Sequence, residues 1–114
     1  MKNMFLYVDN DNEDSAVFPA DSLSVIEAGD QVVNIYFGQH EKKHKVVLAC
    51  ADDESELVAA TIARELAKRF ANPALYNMVT IADDTNSAYI TDGVSATLAG
   101  GGITGVTSIT VDAD

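Results

Sequence analysis

One cysteine, Cys50, stands in 114 residues, so an internal disulfide and a zinc site built from several cysteines are both excluded. Cys50 lies in the apolar run KVVLACA and reads as a buried small hydrophobe, not a nucleophile. No stretch approaches the ~18 uninterrupted apolar residues of a membrane helix, and a soluble single domain is expected. The opening MKNMFLYVDND has one lysine and a short apolar run before acid begins, which reads as too short for a secretory signal. Bases are scarce. Seven Lys and Arg face eighteen Asp and Glu, for a net charge of −11. Such a surface repels phosphate, so nucleic acid is not expected as a partner, and the lack of a long apolar segment gives no reason to expect a membrane.

The acid excess is uneven. Residues 31–71 carry six acids and six bases, whereas the rest of the chain carries twelve acids and only Lys2. The neutral stretch also holds the best-defined element, an apolar strand feeding an amphipathic helix within residues 52–72. Asp53 suits an N-cap, and Glu56 three residues on completes a capping box. Val58, Ile62, Leu66 and Phe70 form the apolar side with Ala59, Ala63 and Ala67 beside them, and Glu54, Arg64, Glu65, Lys68 and Arg69 are placed on the solvent side. Glu65 and Arg69 make a favourable i,i+4 pair, and Asn72-Pro73 ends the helix.

Residues 4–8 (MFLYV) read as a strand, and the acids from Asp9 to Asp14 as a loop. Asp9, Asp11 and Glu13 alternate as calcium ligands do, but Asp14 and Ala20 stand where an EF-hand needs Gly and Glu, so no calcium site is assigned. Pro19 breaks the next segment. Residues 23–27 and 31–37 then form a hairpin, with Val33, Ile35 and Phe37 sharing a face, and residues 44–51 add a third strand. After the helix come strands over residues 78–82, 88–91 and 94–98, then Gly100-Gly101-Gly102, then a β-prone strand over residues 106–111. The expected fold class is α+β. It is mainly an antiparallel sheet, a hairpin and meander, with one amphipathic helix packed on one face. If the strands flanking the helix lie parallel, the crossover should be right-handed. One domain spans residues 1–114, divided into a core (1–99), a Gly-rich hinge (100–105) and a C-terminal strand (106–114). That strand either pairs within its own sheet or acts as an arm exchanged with a neighbour, which makes Val106, Ile109 and Val111 the interface candidates.

His40-Glu41-Lys42-Lys43-His44 matches H-E-x-x-H, in which a helix aims two histidines at one zinc beside a glutamate base. Here strand-like segments flank the motif and no third ligand follows on a continuing helix. His40 and His44 are retained only as metal candidates for a remote hydrolase reading. No G-x-S-x-G, phosphate-cradling Gly-Lys loop or G-x-G-x-x-G is present, so no catalytic residue and no cofactor is assigned.

The segments FPADSLSVIEAGDQVVNIYFG, HKVVLACADDESELVAATIAREL and MVTIADDTNSAYI, together covering most of residues 18–98, resemble small virion structural proteins of marine tailed bacteriophages of the cyanophage type. The resemblance implies a non-enzymatic subunit made in the host cytoplasm and carried in the virion. It would be a homo-oligomer acting as a capsid decoration or cement protein, with the major capsid protein or other virion subunits as partners. The alternative is a small acidic binding or regulatory module.

Overall fold

The computed structural model describes residues 4–11, 14–38, 44–51, 54–72, 77–98 and 100–111. The first strand, β1 (Phe5–Asn10), alternates sharply: Leu6 and Val8 are buried while Phe5 faces outward. It continues through the first acids and pairs antiparallel with β2 (Asp14–Pro19), in register from Phe5 opposite Pro19 to Asn10 opposite Asp14. The expected acidic loop is therefore the end of a hairpin. Strand pairing satisfies the backbone and lets the carboxylates stand in solvent, so tertiary context overrides the low β propensity of Asp and Asn. Pro19 ends an edge strand, where a missing N–H costs little.

A 3-10 turn over Ala20–Ser22 leads into the meander of β3 (Leu23–Ala28), β4 (Val32–Phe37) and β5 (His44–Cys50), all antiparallel as expected. Gln31 takes a positive φ of 63° in the β3–β4 turn, closed by Gly29 N–H donating to the Val32 carbonyl at 2.9 Å. Val33, Ile35 and Phe37 share the buried face of β4, and Val46, Leu48 and Cys50 that of β5.

The helix α1 (Ser55–Phe70) follows, with Glu54 rather than Asp53 at the N-cap. Asp53 lies outside the described residues. Val58, Ile62 and Leu66 are buried, worth about 1.5–3 kcal/mol each, and Phe70 packs partly against the core. The buried stripe is rotated from the expected one: Thr61 and Glu65 are covered, whereas Ala63 and Ala67 are exposed. Two polar groups can occupy that side because each brings its own partner. Thr61 Oγ1 donates to the Leu57 carbonyl at 2.8 Å, and Glu65 receives Lys68 Nζ at 2.8 Å and Arg69 Nη1 at 3.0 Å.

Beyond the helix, β6 (Met78–Asp83) pairs parallel with β1 and antiparallel with the short β7 (Ala88–Tyr89). The strands before and after the helix do not share a sheet. The segment expected to be a strand over residues 94–98 lies instead largely in a 3-10 turn, Asp92–Thr97. After β7 the backbone is satisfied locally, with Val94 N–H on the Thr91 carbonyl at 3.1 Å and Thr97 Oγ1 on the Val94 carbonyl at 2.8 Å. The last strand, β8 (Ile103–Thr110), is antiparallel to β5 of its own chain and begins three residues before the expected 106–111 strand.

Two four-stranded sheets result, ordered β2-β1-β6-β7 and β3-β4-β5-β8. All pairs are antiparallel except β1 with β6. The fold is α+β, with one helix packed against two mostly antiparallel sheets, chiefly alongside β3 and β4, while β8 closes toward β1 and β6. A single hydrophobic core joins these inner surfaces, and Phe18 stacks on Phe37 across it at 4.1 Å.

Candidate functional site

His40 and Glu41 lie outside the described residues. His44 opens β5 opposite Phe37, with its ring 5.8 Å from that of Phe18. A residue on a strand cannot supply the one-face helical spacing on which the zinc motif depends. Among the described residues no three or more His, Cys, Asp or Glu side chains converge as metal ligands. Cys50 is buried, and burial, followed by the negative charge of Glu54, pushes its thiol pKa up, away from the reactive thiolate. A cleft of about 320 Å³ is lined by Ala28, Gly29, Asp30, Gln31, Ser55 and Glu56, with no His, Cys or Lys among these residues. No helix among the described residues is long and apolar enough to cross a membrane.

The polar groups that organise the molecule hold the C-terminal segment. Glu54, only 5% exposed, turns away from its own helix. Its carboxylate accepts the N–H of Gly100 at 2.7 Å and of Gly102 at 3.4 Å. Gly101 and Gly102 have φ of 86° and 88°, a region open to glycine, and between the two Glu54 contacts the Gly101 N–H donates to the Leu98 carbonyl at 2.9 Å. Thr91 Oγ1 then accepts Ile103 N–H at 3.1 Å. Asp84 accepts Val106 N–H on both oxygens, at 3.2 and 3.0 Å, and the Tyr89 hydroxyl at 2.6 Å. Burial, together with the hydrogen bond and charge of Asp84, pushes the Tyr89 pKa up to about 12. Beside Asp84, Asp83 is buried, and its pKa is lowered chiefly by the Asn86 side-chain amide at 2.8 Å. The glycines expected to act as a hinge thus form a pinned turn, and Ile103–Gly105 already belong to β8. Helical periodicity places Glu54 in solvent and cannot register partners 46 and 48 residues away. The D-D-E run and the triple glycine carry no mutual signal in sequence.

Of the interface candidates, Val106 is buried in this chain's core, Ile109 packs partly against it, and Val111 is 57% exposed. A group of exposed apolar side chains lies elsewhere, on the outer face of the first sheet. Strand register aligns its side chains in rows. Pro19, Phe5 and Met78 form the first, and Val17, Tyr7 and Thr80 the second. Ser15, Asp9 and buried Asp83 form a third row, with exposed Asp11 beyond it at the hairpin end. Phe5, Val17 and Met78 are 39%, 49% and 51% exposed. Alternation in residues 4–8 is readable in the sequence, but Pro19 and Met78 reach the same row only through the β2-β1-β6 order.

Comparisons of the chain with protein-family models, curated proteins and solved structures find no match.

Proposed function

We infer that the chain is a non-enzymatic structural subunit working through protein–protein contacts, and that its place is in a virion as a capsid decoration or cement protein. The observation that carries the contact reading is the apolar outer face of the first sheet, where Phe5, Val17 and Met78 stand together in solvent on regular secondary structure. Contiguous apolar surface on a rigid sheet favours association. The virion assignment rests on the sequence resemblance. The acid excess is compatible with it, since a surface that repels phosphate suits the outside of a capsid better than the side facing DNA.

Mass spectrometry of particles purified from cells infected by a phage encoding this chain tests the assignment. The expected result is the chain present in many copies per particle and retained through density-gradient purification. Particles that lack it would overturn the virion reading.

A further inference from the structure

The outer face of the first sheet is graded along its strands, and the gradient specifies what covers it. One end is the apolar row Pro19–Phe5–Met78, the middle is Val17–Tyr7–Thr80, and the other end carries Asp9 beside Asp83, with exposed Asp11 beyond them. Residues 1–30, which supply β1 and β2, hold seven acids and only Lys2 as a base. A second copy is a poor occupant on these grounds. Two identical sheets stacked face to face at ~10 Å about a two-fold axis have two simple arrangements. With the axis along the strands, Asp9 lies over Asp9. With the axis across them, Asp9 lies over the Phe5 row. The first juxtaposes like charges and the second places a carboxylate on apolar surface, and each is unfavourable.

We propose that this face docks a different protein, one presenting an apolar patch that covers Phe5, Val17 and Met78 with Lys or Arg side chains at the end that meets Asp9 and Asp11. This rests on the reading of the chain as a contact-forming subunit, and it adds the partner's chemistry and its orientation along β1. The apolar rows supply most of the affinity, and the acidic end sets direction and rejects acidic surfaces.

The test uses the full chain, isotope-labelled, and two synthetic probes at physiological salt: an amphipathic helical peptide of leucine and lysine, and its counterpart with glutamate in place of lysine. Amide chemical shifts should move on β1, β2 and β6 with the lysine peptide and stay unchanged with the glutamate peptide. Val17→Lys and Met78→Lys should each weaken binding by about tenfold or more. Asp9→Lys should weaken it severalfold and reduce the discrimination between the two peptides. Because these side chains are partly or largely solvent-facing, circular dichroism should show the variants folded. Shifts confined to other surfaces, equal binding of both peptides, or variants that bind unchanged would each overturn the proposal. Sedimentation showing a dimer of the wild-type chain that Met78→Lys dissociates would overturn it too, by making the face a self-interface. Each result is independent of whether the chain is found in particles, so the inference and the virion reading fail separately.

Discussion

The two sheets present outer surfaces of different composition. On the second sheet, Asn34 and Tyr36 of β4 both reach the Glu27 carboxylate of β3 at 3.3 Å, and Lys45 of β5 lies over the Tyr36 ring at 5.7 Å. That face knits its own strands together with polar contacts that tolerate water. On the first sheet, the corresponding positions hold Phe5, Val17 and Met78, large and exposed. Antiparallel sheets with one wet face normally alternate apolar inside and polar outside. The second sheet mixes those polar contacts with exposed Val25 beside Tyr36, whereas the first gathers Phe5, Val17 and Met78 on three neighbouring strands. The departure identifies a surface not optimised for solvent alone, and it can be tested by asking which residues stability depends on.

The largest effects should come from the segment that joins the sheets. A Cβ at Gly100 would collide with the Ala51 Cβ, and one at Gly102 would press on Thr91 while imposing a strained φ. Gly102→Val should leave little folded protein, read by loss of cooperative thermal unfolding. Glu54→Ala should cost about 2–4 kcal/mol in urea denaturation, because it strands two amide N–H groups. If Glu54→Ala were as stable as wild type, the pinned turn would not be holding β8. Ending the chain at Ala99 removes buried Ile103 and Val106 together with β8, so unfolding is expected, not a simple loss of self-association.

Acid should act next. Hydrogen bonds from Lys68 and Arg69 hold the Glu65 pKa below the usual carboxylate value, with burial opposing them. A folded-state pKa below the unfolded one means the stabilisation is complete above the ordinary carboxylate range, near pH 4.3, and is lost as pH falls through the lowered value. Asp83 shifts in the same direction. Stability measured from neutral pH downward should therefore decline below about pH 4 to 5, and Glu65→Gln should make that decline shallower. An unchanged acid profile in the variant would remove Glu65 as a contributor.

What the sequence disclosed follows the range of the interactions. The meander of β3, β4 and β5 was legible because adjacent strands with tight turns pair locally, and α1 because its apolar period of 3.6 extends over sixteen residues. The division into two sheets was not, since it depends on β6 returning parallel beside β1 about 70 residues away. Glu65 read as a surface residue because periodicity registers charge but not the Lys68 and Arg69 contacts that allow it to be covered. Val106 read as an interface residue because an apolar strand looks the same whether it completes its own sheet or a neighbour's.

The smallest expected effect bears most directly on the comparison. Val17→Thr and Met78→Thr keep or raise strand propensity and remove apolar surface only from the outer face of the first sheet. If that face exists to meet a partner, the free chain gains little from it, and each change should alter unfolding free energy by no more than about 0.5 kcal/mol. Tyr36→Thr on the second sheet loses both the Glu27 hydrogen bond and the Lys45 contact, and should cost about 1 kcal/mol. The ordering is the sensitive part, since all three side chains lie on sheet surfaces and differ in whether this chain partners them. Costs for Val17→Thr and Met78→Thr that match or exceed that of Tyr36→Thr would mean the apolar rows support this chain's own fold, and the case for a docking face would fall with them.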